Sequence, residues 1–273
     1  MTAPLSRART QILRVCASAA QLSLALDFDG TLVPIQRDPH DPRLSRAQQR
    51  VLAQLAAMPG VTLSIISGRQ VHDVESRVGV RRAYYAGNHG LEIRVGGQWC
   101  VRPAVRWARV IRRAARDLRG LARQMPRLLV EEKGPVLAVH YRNVPRTRWR
   151  AVRAQVRRIF RRYTHSGAMR IQEGKAVIEL RPRSRHHKGW AVQWIRARRG
   201  GTARAATVLA IGDDATDEDL FRSVRPPGVS IHVGRGSTIA HYRTVAPSMV
   251  WTLLTSMITL RKAVRKEGCV TRR

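Results

Sequence analysis

Lysine is all but missing from this 273-residue chain: five lysines stand beside 46 arginines. Cysteine is as sparse, and its three residues, Cys16, Cys100 and Cys269, are odd in number, widely spaced and form no CxxC pair. That argues against a disulfide framework or a thiolate zinc site and makes a reducing, cytoplasmic compartment the simplest reading. A membrane-spanning helix takes ~20 apolar residues, and the longest apolar stretch near the C-terminus, 249–260, is shorter and interrupted by Thr and Ser. Residues 1–20 carry arginines without a continuous apolar segment, so no signal peptide is expected. Aromatics, at 5%, are too few to suggest a base-stacking array.

Acids are the remaining scarcity. Against 51 Lys and Arg there are 18 Asp and Glu, a formal net charge of +33. A nucleic-acid binder often gathers such charge on one face or arm. Here the arginines run through almost every segment, with a mild concentration between 142 and 162. The charge therefore reads as an arginine-rich soluble surface rather than a dedicated nucleic-acid site, though it would still attract anions such as sugar phosphates. Hydrophobic residues make up 44% of the chain and mean hydropathy is -0.30, which excludes disorder as the main state. The length allows one large domain or a core with a second module, and a core that needs neither disulfides nor metal to fold.

The order of segments points to an α/β architecture. Residues 22–27 (LSLALD) form an apolar run ending in an acid, as a buried parallel strand would. Residues 45–58 have helical apolar spacing, with Ser45 as N-cap and Pro59-Gly60 as stop. Residues 61–66 are the next strand, followed by a short helical stretch to Arg77, a strand at 83–85, and a hairpin of 91–95 with 99–101 around Gly96-Gly97. After Pro103 the rhythm becomes helix (105–124), strands 128–132 and 136–141, helix (147–163), strands 169–172 and 176–180. From Lys188 the first pattern resumes with helix, strand 206–211, helix from Thr216, strand 229–233 and a C-terminal helix. The expected fold is a Rossmann-like parallel-sheet core, 1–103 and 183–273, split by a smaller inserted α/β domain, 104–182.

Four motifs sit at strand ends or helix starts, where ligands of open α/β sheets bind. The first is Asp27-Phe28-Asp29-Gly30-Thr31, two carboxylates that can divide nucleophilic and proton-transfer roles. The second is Ser67-Gly68-Arg69, a hydroxyl and backbone N–H suited to a phosphate oxygen. The third is Lys188, which opens a helix against the macrodipole and so suggests an anionic partner. The fourth is 212–218 (GDDATDE), where five acids fall between Asp213 and Asp219. Acids this dense in so basic a chain call for a cation, and hard oxygen ligands point to Mg2+.

Taken together and in this order, the motifs resemble the haloacid-dehalogenase-like phosphotransferase superfamily, with the inserted module placed as in one class of its capped members. AGNHGLE (86–92), EEKGPVLAVHYR (131–142), EGKAVIELRP (173–182), HKGWAV and GDDATDEDLF look like the trehalose-6-phosphate phosphatases in wording and order. Three of the five lysines fall inside these motifs, where a compact ammonium differs from arginine's fork.

The resemblance implies a cytoplasmic enzyme for the last step of trehalose biosynthesis: Mg2+-dependent hydrolysis of trehalose 6-phosphate through an aspartyl-phosphate. Asp27 would be nucleophile and Asp29 general acid and then base, with Ser67 and Lys188 on phosphoryl oxygens. Asp27, Asp29 (by its carbonyl) and Asp213 would hold the metal, with Asp214 or Asp217 in support. Gly68 and Arg69 would lie beside the phosphate, and Asn88 and His89 in a loop beside the core crevice. Glu131, Lys133 and Glu179 would meet sugar hydroxyls, with His140 and Arg142 on one strand face near them. Adjacent His186 and His187 are not expected to share an ion. Alternative readings are a phosphatase of another glycosyl phosphate, such as sucrose phosphate or a glycosyl phosphoglycerate, and a basic nucleic-acid-binding protein on an inactive scaffold. The intact acids of the first and fourth motifs stand against the latter.

Overall fold

A computed structural model describes residues 2–36, 42–102, 105–174, 176–199 and 206–270, with the side chains of 265–270 excepted. The chain forms two compact units, Met1–Val101 with His186–Arg273 and Arg102–Arg185. Residues 103 and 104, where the sequence sets one joint, lie outside the described residues, as do Lys175 and the side chain of Cys269.

Along the chain, the first unit begins with β1 (Ala3–Pro4), α1 (Leu5–Ser18), β2 (Leu22–Leu26), α2 (Arg46–Ala57), β3 (Val61–Ile66), α3 (Val71–Val78), β4 (Tyr84–Gly87), β5 (Glu92–Val95) and β6 (Gln98–Val101). The second unit comprises α4 (Val105–Gln124), β7 (Leu129–Lys133), β8 (Val136–His140), α5 (Trp149–Thr164), β9 (Met169–Gly174) and β10 (Val177–Pro182). The first then resumes with α6 (Lys188–Arg198), β11 (Thr207–Gly212), α7 (Glu218–Arg222), β12 (Val229–Val233), β13 (Tyr242–Thr244) and α8 (Pro247–Val270). No described helix is long and apolar enough to cross a membrane.

The first unit is an α/β sandwich around a nine-stranded sheet ordered β1-β13-β12-β11-β2-β3-β4-β5-β6. Pairing is parallel from β1 through β4, and the β5–β6 hairpin adds an antiparallel edge. Every residue of β2 is buried because both sheet faces are covered. Leu22, Leu24 and Leu26 face a core shared with α1, α2, α3 and α8. Ala25 faces a second core with Ala191, Val192 and Ile195 of α6 and Leu220 and Phe221 of α7. The period-2 alternation of strands thus feeds two hydrophobic layers from one segment. The α2 start follows the sequence signal: Ser45 accepts the Gln48 N–H at 3.2 Å while the Gln48 side chain accepts the Ser45 N–H at 2.8 Å, closing a capping box.

In the second unit an antiparallel sheet, β7-β8-β10-β9, lays one face against α4 and α5. Leu137, Val139, Ile178 and Leu180 pack there with Ile111, Leu118, Val152, Val156 and Phe160. The register sets Glu131 opposite Ala138 and Ala138 opposite Glu179, in one row across the sheet. Those acids alternate with the core residues along their strands and so belong to the opposite, polar face.

Candidate active site

Strands β11, β2, β3 and β4 are parallel neighbours and end on one sheet edge. Asp27 follows β2, Ser67 follows β3, Asn88 follows β4 and Asp213 follows β11, so topology alone brings four sequence-distant segments together. Two glycines let them close. Gly30 turns the chain at φ +86°, and a Cβ there would lie 2.3 Å from Cγ of Asp213. A Cβ on Gly212 would lie 2.2 Å from Cγ of Asp217. Any side chain at either position would push an acid out of the cluster.

Lys188 is buried at the start of α6, just after His187, whose ring caps the helix by accepting the Trp190 N–H at 3.3 Å. His187 is thereby a capping group, and His186 packs against Trp190. The misfit between lysine and helix dipole has a local answer: Nζ donates to Asp27 Oδ1 at 2.7 Å and to Asp217 Oδ1 at 2.8 Å. Burial alone would pull the ammonium down, but Asp217 and Asp27 hold it well above its usual range. Burial also drives the Asp27 carboxyl up; Lys188 opposes that, and the charges of Asp217 and Asp213 add to the rise.

Three carboxylates come together beside the Lys188 ammonium, which bonds two of them. Asp27, Asp213 and Asp217 each offer an oxygen within 4.8 Å of the others. Asp27 Oδ2 is buried with no hydrogen-bond partner among the described residues. An orphaned carboxylate oxygen and an all-oxygen donor set fit a hard divalent cation.

The five acids of the fourth motif separate by role. Asp217 points inward, where its Oδ2 also accepts the N–H groups of Asp213 (3.1 Å) and Asp214 (3.0 Å). Asp214 spends its carboxylate on the Ala215 N–H, capping the short turn Ala215–Asp217, and stands outside the three-acid group. Glu218 accepts the Ile239 N–H at 3.0 Å, and Asp219 pairs with Arg222 at 2.7 Å.

Asp29 is gripped by the Arg69 fork, Nε to Oδ2 at 2.6 Å and the second nitrogen to Oδ1 at 2.7 Å. Arg69 also reaches Asp73 at 3.0 Å, and Asp73 reaches the buried Arg77 at 2.8 Å. This chain of charges was not legible as site architecture in the sequence, because Asp73 reads only as a helix-start acid. Ser67 is buried, its Oγ accepting the Arg69 N–H at 3.1 Å. Gly68 runs close to the His89 ring, with which a Cβ would collide at 2.8 Å. Asn88 and His89 take left-handed backbone, φ 48° and 59°, tied by Asn88 N–H to the Arg69 carbonyl (2.7 Å) and His89 N–H to the Ser67 carbonyl (2.9 Å).

In the second unit a separate cluster lies on the polar sheet face. Lys133 Nζ stands 3.6 Å from Glu131 and 3.7 Å from Glu179, and His140 Nε2 lies 3.0 Å from Glu131. Against the effect of burial, the His140 hydrogen bond and the Lys133 charge hold the Glu131 carboxyl down at about 2. It therefore stays an ionised acceptor at any ordinary pH. Arg181, which the motif reading left aside, joins through Glu179 at 3.8 Å and Gln172 at 3.2 Å. Arg142 lies past the end of β8, in the following turn, and is exposed.

A family model described as trehalose-phosphatase matches residues 25–250. The trehalose-phosphate phosphatase of Mycobacterium bovis is 36% identical over 240 residues, 85% of this chain and 60% of that protein. The chain thus spans about 60% of the length of the first curated relatives it matches. The structure of Aspergillus fumigatus trehalose-6-phosphate phosphatase is 25% identical with TM-score 0.66, covering 96% of this chain and 100% of that one. The fold is also that of the C-terminal domain of the Candida albicans trehalose-6-phosphate phosphatase, at TM-score 0.75, 22% identity, and 96% and 98% coverage.

Proposed function

Because the chain belongs to the trehalose-phosphatase family, we propose that it is a Mg2+-dependent phosphatase that hydrolyses trehalose 6-phosphate to trehalose and phosphate. The observation that carries this reading is Lys188 bridging Asp27 and Asp217 while Asp27 Oδ2 stays buried without a partner. Asp27, Asp213 and Asp217 would hold the divalent cation, with the Asp29 carbonyl. The cation would supply charge neutralisation beside the phosphoryl group.

Asp27 attacks phosphorus, and the bond from phosphorus to the sugar oxygen breaks as that oxygen takes a proton from Asp29. The aspartyl-phosphate is then cleaved by water, whose proton goes to Asp29. Lys188 and the Ser67 hydroxyl neutralise and orient phosphoryl oxygens, since phosphoryl transfer is mostly positioning and charge compensation. Arg69 grips both oxygens of Asp29, and an incoming phosphate would compete for the same fork, which would release the Asp29 side chain toward the reacting oxygen.

Glu131, Lys133 and Glu179 recognise sugar hydroxyls, because sites built to hydrogen-bond a hydroxyl discriminate far better than apolar ones. Glu131→Gln, Lys133→Met and Glu179→Gln are each expected to lower kcat/KM for trehalose 6-phosphate roughly 100-fold. Turnover of p-nitrophenyl phosphate, which offers no sugar, should stay close to wild type. Equal losses on both substrates would remove the sugar-reading role from these residues.

A further inference from the structure

The second unit, residues 102–185, holds 24 of the chain's 51 Lys and Arg but 5 of its 18 Asp and Glu, a formal +19 on 84 residues. Its two helices account for much of that excess: α4 and α5 carry thirteen arginines and one acid, Asp117. On α4 the arginines at 109, 112, 116, 119 and 123 recur every three or four residues. That spacing draws one stripe, about 21 Å long at 1.5 Å per residue. Ile111, Ala114, Leu118 and Leu121 fix the buried side of α4, and all five stripe arginines are exposed. On α5, Arg150, Arg157, Arg158, Arg161 and Arg162 are exposed as well. Arg157 is taken by Glu173, and Arg162 reaches Asp117 only at 3.9 Å. Among the described residues, the five stripe arginines of α4 show no ion pair.

Like charges three and four residues apart weaken a helix, so a stripe of five is a standing cost unless anions lie along it. From this arrangement we propose that the outer face of α4 and α5 binds the phosphodiester backbone of duplex nucleic acid without reading its sequence. Arginine forks pair with phosphate in two-pronged fashion. A row of about 21 Å spans several phosphates of a duplex, which advance about 3.4 Å each per strand along the duplex axis. Charge that is scattered along the sequence becomes one surface in the fold.

The chemistry of the face excludes its nearest rivals. A helix lying on a membrane interleaves large apolar residues with its basic ones, yet the exposed residues between Arg109 and Arg123 include none. Single-strand binders offer exposed aromatic stacking platforms, and among the described residues no aromatic is fully exposed; Trp107 of α4 and Trp149 and Tyr163 of α5 are half-buried.

The test is fluorescence anisotropy of a labelled random-sequence DNA duplex of about 20 base pairs, titrated with the full chain at several salt concentrations. Wild type should bind, with a log-affinity slope against log salt of about −4 to −5. The triple variant Arg112→Gln, Arg116→Gln, Arg119→Gln relieves repulsion within α4, so it should fold normally. It should bind at least tenfold more weakly and flatten the slope by about 3, with phosphate release unchanged. Replacing Arg43, Arg46 and Arg50 of the first unit by Gln should leave binding near wild type. Equal loss in the two triples would make the attraction a diffuse property of net charge and overturn the proposal. So would no duplex binding by wild type, or capture only by vesicles rich in phosphatidylserine.

Discussion

Asp27→Asn is expected to lower phosphate release from trehalose 6-phosphate by at least about 10^4-fold, the scale on which loss of a covalent nucleophile is felt. The amide nitrogen cannot replace the attacking oxygen, and the remaining amide oxygen carries no negative charge. The fold should survive, because the substitution removes one of the two carboxylates bonded to the Lys188 ammonium and leaves Asp217 on it. Stability without added metal makes the sharper comparison. Asp27 has its carboxyl raised by burial and by Asp217 and Asp213, so the folded state binds more protons there than the unfolded state does. Metal-free wild type should therefore lose stability as pH rises above about 4, the ordinary carboxylate value, until the raised value is passed. Asp27→Asn should lack that component of the slope. Urea unfolding in EDTA between pH 4 and 8 measures it. A variant with wild-type turnover would remove Asp27 from the chemistry, and one with an unchanged pH slope would remove the charge argument.

Lys188→Ala is expected to cost about 3–5 kcal/mol of stability at neutral pH, because it leaves buried carboxylates without their cation. The ammonium is 2% exposed and bonded to both Asp27 and Asp217, so no water shell replaces it. Turnover should fall about 10^3-fold, as for removal of one preorganised charge from a transition state. Lys188→Arg should rescue neither quantity, since a planar fork does not fit between two oxygens approached by one nitrogen. Added Mg2+ should restore part of the Lys188→Ala stability, through its affinity for the over-acidic cluster. Thermal unfolding in EDTA and in Mg2+ separates these outcomes. A Tm equal to wild type in EDTA would show that the carboxylates do not depend on Lys188.

At the strand ends the structure brings together the segments that the sequence singles out. Asp27, Ser67, Lys188 and Asp213 could be placed because each follows an apolar run or opens a helix, and parallel strands end on one edge. Which of Asp214 and Asp217 stands in the acid cluster could not be read, since it depends on the turn Ala215–Asp217 and on the space left by Gly212. The N-terminal elements were less legible. Leu5, Ala8, Ile12 and Cys16 carry the helical spacing of α1, but arginines interrupt it and Pro4 gives no side-chain cap. Strand β1 has two residues and, among the described residues, pairs with β13, about 240 positions away. The arginines of α4 show their three-and-four spacing in the sequence, yet they become a surface only when Ile111 and Leu118 settle which side is buried.

The most direct test of the whole account is phosphate release by the wild-type chain from trehalose 6-phosphate in Mg2+ and in EDTA, beside sucrose 6-phosphate and p-nitrophenyl phosphate. The account predicts fast release from trehalose 6-phosphate in Mg2+, far above the other two, falling to background in EDTA and returning when Mg2+ is restored. Release that ignores EDTA would contradict the metal assignment to Asp27, Asp213 and Asp217. Faster release from sucrose 6-phosphate than from trehalose 6-phosphate would contradict the substrate.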